Sequence, residues 1–370
     1  MFRTKTYLMI FLTAFVSIFI TKVEATDSLI IHVDNELCDP NVESKTYFRL
    51  GNWTNDSNTL YFMTDDTIWQ YTIGSKQKIP HIKMCDGSNL SMDLSRDEKL
   101  MAIGSQYFPY VTLVDLQNSI IIGYLPIRAD GVWGVRFNHD GSLIAFSTYI
   151  RDDGYPLQAN LQIWSVEEQV LLGTLLYQDI AEGTKYITEF DFQPLNEDCP
   201  FILAGAEVDA GYYNSFVECW DWENGDGMLY AFPRLPVYAD PLFTDDYIIL
   251  STLNREYKRL IQFLDKTSFD LVHEQPIEAS AEKITYSESQ SLLGMGLEDY
   301  RIQIYSLIDD TITTVVTLPE TTYRYYINFS PDGSYLAVAF RESRDVLYQQ
   351  LDIYDTQTLE KVDSILIPFN

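Results

Sequence analysis

Short apolar runs separated by polar turn residues recur along this chain at a steady interval. The unit is clearest twice, at Phe137-Asn138-His139-Asp140-Gly141-Ser142-Leu143-Ile144-Ala145-Phe146 and at Phe329-Ser330-Pro331-Asp332-Gly333-Ser334-Tyr335-Leu336-Ala337-Val338. Each reads as a strand ending in an aromatic residue, a tight Asp-Gly turn that supplies positive φ, and a second, apolar strand. Weaker copies are anchored at Trp53, Leu94, Phe192, Phe243 and Tyr286. The seven anchors recur at steps of 41 to 55 residues, which predicts seven repeats of about four strands each.

Within a repeat the second and third strands differ. Second strands such as Leu60-Tyr61-Phe62-Met63, Phe201-Ile202-Leu203-Ala204 and Tyr247-Ile248-Ile249-Leu250 are apolar at every position, the mark of a strand covered on both faces. Third strands alternate, as in Leu161-Gln162-Ile163-Trp164, Ile302-Gln303-Ile304-Tyr305 and Leu351-Asp352-Ile353-Tyr354. Burial is therefore expected to fall off toward one edge of each unit. A radial stack of blades has that gradient, whereas a sandwich alternates throughout. The fold class is all-β: a single β-propeller of about seven four-stranded blades over residues 46–370, with blades near 46–84, 88–125, 131–177, 185–232, 236–275, 280–318 and 323–369. Ser28 to Val33 reads as a further strand in an N-terminal arm over 26–45, either closing the ring on the last blade or standing apart.

The chain resembles the WD-repeat and related propellers. The resemblance rests on Phe329 to Gly333, on its relative at 137–141, and on third strands that end Trp164-Ser165, Trp220-Asp221 and Tyr354-Asp355. It covers roughly residues 46–370. The Gly-His dipeptide that opens many such repeats is missing, and Trp-Asp occurs literally once, at 220–221. The resemblance implies a propeller scaffold and carries over no catalytic or binding residue.

The N-terminus adds a destination. Arg3 and Lys5, an apolar run from Tyr7 to Ile20 and then Val23-Glu24-Ala25 follow the order of a signal peptide over residues 1–25. The run falls short of the roughly 20 residues that a membrane helix needs. The mature chain is expected to begin near Thr26 and to be exported, secreted or periplasmic, without membrane contact after cleavage. Lys and Arg total 25 against 54 Asp and Glu, a net charge of −29. Phosphate backbones repel such a surface, so nucleic acid is excluded as the expected partner.

Four cysteines in an exported chain suit two disulfides. If the hairpin of the fourth repeat turns near Asp209, Cys199 and Cys219 face each other at bridging distance, which leaves Cys38 for Cys85. Asn52, Asn55, Asn89 and Asn328 head N-x-S/T sequons at near-chance frequency.

No P-loop, Gly-x-Ser-x-Gly elbow or His-Glu-x-x-His motif occurs. Two places could carry function. The residue before each anchor lies on the innermost strand, so Asn52, Asp93, Arg136, Asp191, Leu242, Thr285 and Asn328 are expected to line the axial channel. Read as a site, Asn52, Asp93, Asp191 and Asn328 would offer oxygen ligands to calcium and suggest a lactonase-like or esterase-like hydrolase, although Arg136 in the same ring opposes a cation. Gly225-Asp226-Gly227 and Asp152-Asp153-Gly154 read as turns rather than calcium loops. No other cofactor is expected.

The second place is a loop face. The longest loops are expected between strands two and three of blades three and four, at Tyr149 to Asn160 and Glu207 to Asn214. Aromatic residues gather on that side: Tyr107, Phe108 and Tyr110, then Tyr149 and Tyr155, then Tyr212 and Tyr213, with Tyr257, Tyr300 and Tyr348 placed similarly in later blades and Tyr323 and Tyr325 entering from a blade-to-blade loop. Tyrosines among Arg151, Asp152, Asp153, Asp209 and Asn214 can stack and hydrogen-bond at small entropic cost, as binding surfaces require. The leading expectation is a non-enzymatic scaffold for a protein, peptide or glycan; the alternative is the calcium-dependent hydrolase.

Overall fold

In a computed structural model the chain is described from residue 48 to 368, except for 65–66, 76–77, 84–88, 106–109, 128, 153–154, 177–183, 193–201, 210–211, 222–225, 229–240, 254–257, 269, 344 and 347. The leader, the N-terminal arm with its expected strand, and Cys38, Cys85 and Cys199 lie outside the described residues.

Among the described residues twenty-eight strands form seven four-stranded antiparallel sheets, each built from consecutive strands. Blade one holds β1 to β4 (Phe48–Trp53, Thr59–Thr64, Thr67–Thr72, Lys78–Lys83) and blade two β5 to β8 (Asn89–Leu94, Leu100–Ser105, Tyr110–Asp115, Ile120–Pro126). Blade three holds β9 to β12 (Gly131–Phe137, Leu143–Asp152, Tyr155–Ser165, Leu171–Leu176) and blade four β13 to β16 (Thr184–Asp191, Ile202–Asp209, Tyr212–Asp221, Asp226–Met228). Blade five holds β17 to β20 (Leu242–Phe243, Tyr247–Leu253, Arg259–Asp265, Leu271–Pro276) and blade six β21 to β24 (Ala281–Ser287, Leu292–Leu297, Arg301–Ser306, Thr311–Thr317). Blade seven closes the series with β25 to β28 (Arg324–Phe329, Tyr335–Arg341, Tyr348–Asp355, Lys361–Pro368). Among the described residues no helix is long and apolar enough to cross a membrane.

The anchors sit at or next to the ends of the innermost strands, where the chain turns. In blades three and seven the left-handed residue of that turn is glycine, Gly141 at φ 74° and Gly333 at φ 72°. Ser57 and Glu98 occupy the same conformation in blades one and two. A carboxylate three residues past the strand end stitches three of these turns: Asp56 accepts from the Thr54 hydroxyl at 2.6 Å, Asp97 from Ser95 at 2.8 Å, and Asp332 from Ser330 at 2.7 Å.

The core lies between blades rather than within one. Tyr61, Met63 and Ile68 of blade one pack with Met101, Ile103 and Val114 of blade two, and Val111 and Leu113 of blade two with Val135 and Phe146 of blade three. The same pattern joins blades five and six and blades six and seven. The ring closes where Leu60, Phe62 and Tyr71 meet Leu351, Ile353 and Ile367. Among the described residues no strand is exchanged there. Side chains make the closure: Tyr71 donates its hydroxyl to the Asp363 carboxylate, and the Gly74 amide donates to the same group at 2.9 Å.

Three expectations change. The third strands are buried nearly as fully as the second, since β7 and β23 are covered throughout their middles. The drop in burial comes one strand further out, at β20 and β24. Alternation misled because the buried polar residues are satisfied sideways: Gln303 donates to Thr314 at 3.1 Å, and Asp352 accepts from Ser364 at 2.5 Å and Lys361 at 3.2 Å. The long loops of blades three and four are instead extended hairpins, β10–β11 and β14–β15, which pair out to Asp152–Tyr155 and Asp209–Tyr212. Pro156, which cannot donate to a ladder, stands at the slip in register beside Arg151. Finally, the turn follows Asp209 instead of centring on it, so that Cys219 lies opposite Ile202; Cys199, its expected partner, lies outside the described residues.

Candidate functional site

An axial cavity of about 490 Å³ opens among the ends of the innermost strands and the turns that follow them. Of the expected channel residues, Asn52, Asp93, Arg136, Leu242 and Asn328 line it. Thr285 stands just behind, with its hydroxyl 3.4 Å from the Asn328 side-chain oxygen. Asp191 ends β13, opposite Ile202 in the ladder. Sequence reasoning missed Phe243, Thr244, Tyr286, Ser287 and Glu288, which complete the wall from blades five and six. Phe243 and Tyr286 are themselves anchors and the other three follow them directly, so the turn pattern could have flagged them.

Hydrogen bonds tie these residues across blades. The Asn52 side-chain amide donates to Asp93 Oδ1 at 2.9 Å, and the Phe137 backbone N–H donates to Asp93 Oδ2 at 2.8 Å. One carboxylate thus joins blades one, two and three. Burial pushes the Asp93 carboxyl above the usual range, and the Arg136 charge and these two donors oppose the shift. Asn328 donates to the Gly51 carbonyl at 2.9 Å and so links blade seven to blade one. The carboxylate and amides are engaged as a belt. Among the described residues no three His, Cys, Asp or Glu side chains converge as a metal would require.

The turns outside the cavity form a second ring of contacts. Asn55 donates to the Arg96 carbonyl at 2.8 Å, the Asp245 amide to Glu288, Ser289 to the Pro331 carbonyl at 3.1 Å, and the Asp332 amide to Ser57 at 3.1 Å. The cavity therefore opens on the face of the first turns, opposite the face where the tyrosines were expected.

On that opposite face the structure sorts the tyrosines. Tyr149 belongs to the core: it is 2% exposed and meets Trp133 edge-on with centroids 5.4 Å apart. This corrects its assignment to the binding surface, because its place on β10 opposite Gly131 turns it under the hairpin. Tyr110 opens β7, half-buried, with its ring 4.9 Å from Tyr124. Tyr300 packs against the seam of blades six and seven in a left-handed turn. Tyr323 is exposed, with the Arg324 guanidinium 5.2 Å from its ring centre. Tyr325 is buried and donates to the Leu297 carbonyl at 3.0 Å. Tyr348 opens β27, where it pairs with Pro368. Tyr155, Tyr212 and Tyr213 begin the outward arms of the two long hairpins. Tyr107, Phe108 and Tyr257 lie outside the described residues.

Sequence reasoning passed over Trp133. It sits at a register slip in β9, skipped between Val132 and Gly134 in the ladder to β10, and is 39% exposed. A bulge re-aims one side chain while the strand continues. The same slip occurs four residues before the anchor in β5, β13 and β21. Beside Trp133 the β10–β11 hairpin runs three residues past its last pairing with β9, roughly 10 Å of projecting strand.

No protein-family model matches the chain, and no curated protein compared with it does. Two solved structures share its architecture. The β-propeller domain of Cps50 (Swd1) from Myceliophteria thermophila superposes with a TM-score of 0.57 at 13% identity, covering 76% of this chain and 86% of that one. Hydrazine synthase from Kuenenia stuttgartiensis gives a TM-score of 0.57 at 11% identity, covering 86% and 94%. At such identities the likeness concerns the fold. The fold and its repeats are those of a seven-bladed β-propeller.

Proposed function

We propose that this chain is an exported binding scaffold that engages a protein, peptide or glycan through the hairpin face of blades two to four, without catalysis of its own. The observation that carries the reading is Trp133, a large aromatic side chain left 39% exposed on an otherwise covered inner strand, at the foot of a projecting hairpin. Exposed tryptophan flanked by tyrosine is the usual make-up of a binding hot spot. Tyr155 and Tyr212 extend the same face along the two hairpin arms. Export rests on the leader-like order of residues 1–25.

The test takes the full-length mature protein, isolates its partner by affinity capture from its own environment, and then measures binding of Trp133→Ala, Tyr155→Ala and Tyr212→Ala. At least the tryptophan variant should bind about tenfold more weakly with an unchanged melting temperature, the size of one interface anchor. Full retention of the partner by all three variants sinks the reading. One tightly held calcium per purified chain would favour the hydrolase instead.

A further inference from the structure

The axial cavity on the turn face is a separate feature, and among the described residues that line it two acids, Asp93 and Glu288, meet one base, Arg136. Arg136 faces Asp93, whose two oxygens are already held by Asn52 and Phe137. Across the axis Glu288 lines the wall beside Asp245 and Asp246, with the Asp245 backbone amide as a donor. On that side Lys266 is buried and donates to the Thr244 carbonyl at 3.0 Å. The chain as a whole carries a net charge of −29. Burial and the two neighbouring aspartates push the Glu288 carboxyl up. Phe243 and Tyr286 contribute ring surface to the same wall.

We infer that this cavity binds an organic cation, an alkylammonium or guanidinium group, with Glu288 as its counter-charge and Phe243 and Tyr286 against its hydrocarbon. The volume suits a small ligand or one long side chain. Aromatic walls favour a cation further, and the acidic surface steers one toward the mouth. The geometry does not suit a metal, since no three ligating side chains converge among the described residues. A free amine and the lysine or arginine of a basic peptide share this chemistry. The inference stands apart from the hairpin face, and Trp133→Ala should leave it untouched.

Calorimetric titration of the full chain tests it with three probes: 1,4-diaminobutane, acetyl-Gly-Lys-Gly-amide, and the neutral acetyl-Gly-norleucine-Gly-amide. At low salt at least one ammonium probe should bind about tenfold tighter than the norleucine peptide, and added salt should erode the difference. Binding of the diamine alone assigns a free amine; binding of the lysine peptide assigns a basic chain. Glu288→Gln keeps the shape and the acceptor for the Asp245 amide, and should weaken the ammonium probe about tenfold at an unchanged melting temperature. Asp246→Asn should act in the same direction, more weakly. Asp299→Asn, on the other face, should do nothing. Equal binding of the norleucine peptide, an unchanged Kd in Glu288→Gln, or no heat from either ammonium probe up to about 10 mM overturns the inference.

Discussion

The Tyr71 hydroxyl donates to the Asp363 carboxylate, joining the third strand of the first blade to the outermost strand of the last. The 5/6 seam repeats the relationship, where Tyr305 reaches His273 on the outer strand of the preceding blade at 2.6 Å. A third-strand hydroxyl strapped to the blade before it is thus a recurring joint.

Removing that joint should cost stability in proportion to one buried charge-assisted bond. Tyr71→Phe leaves the ring in place and Asp363 with the Gly74 amide as a partner. Urea denaturation should show a loss of about 1–3 kcal/mol with an unchanged slope. A loss below about 0.5 kcal/mol would mean that the apolar seam closes the ring unaided.

The belt carboxylate should matter more. Asp93→Ala strips the acceptor from Asn52 and from the Phe137 amide and leaves Arg136 without its nearest counter-charge. The expected cost is about 2–4 kcal/mol by the same measurement, since several partners are left unsatisfied at once. Wild-type stability in this variant would show that the belt is ornamental.

Alkaline pH should open the molecule through its tyrosines. Burial, reinforced by Asp363, Asp310, Glu282 and Asp352 respectively, raises Tyr71, Tyr305, Tyr325 and Tyr354, with Tyr305 pushed up to about 12. Raised folded values stabilise fully below the ordinary tyrosine value near 10, and that contribution is lost as pH climbs toward them. Absorbance titration of phenolate should therefore show a late class of tyrosines that ionises together with loss of near-ultraviolet circular dichroism. A single transition near 10 with the fold intact would contradict it.

Acid should act on the turns with the opposite sign. Asp56, Asp97 and Asp140 are held below the ordinary carboxyl value by the Thr54 hydroxyl, the Lys99 ammonium and the Ser142 hydroxyl respectively. Their contribution is present above the ordinary value and disappears as pH falls through the depressed ones. Asp140→Asn should flatten the acid limb of a melting-temperature profile while leaving neutral pH little changed. An acid limb identical to wild type would refute that role.

Trp133 and Tyr149 touch, yet their substitutions should separate. Tyr149→Ala empties a core position and should cost about 3–5 kcal/mol, in the range of buried aromatic truncations, whereas Trp133→Ala should stay within about 1 kcal/mol. Comparable losses for both would make Trp133 part of the core as well.

The anchors and turns made the ring legible. An aromatic residue, an Asp-Gly pair and an apolar run are local chemistry, and every innermost strand ends at or beside its anchor. The channel residues followed from the same register. What stayed hidden depends on partners distant in sequence. The glutamines of β11 and β23 look exposed until their strand neighbours are known. A one-residue slip such as that at Trp133 leaves no local signature. The turn after Asp209, which displaces Cys219 by three residues, depends on where two strands stop pairing.

The seam that joins blade one to blade seven has a consequence for how the protein comes to be made. Each blade is contiguous and has its own hairpins soon after it emerges from the ribosome. The flank of blade one, with Phe62 and Tyr71, finds its cover only when Asp363 has been added, 292 residues after Tyr71. Until then an apolar surface faces the surroundings, the condition under which nascent chains misassociate. Such a protein would lean on holding chaperones during synthesis, and chains cut short before blade seven should be the aggregating ones.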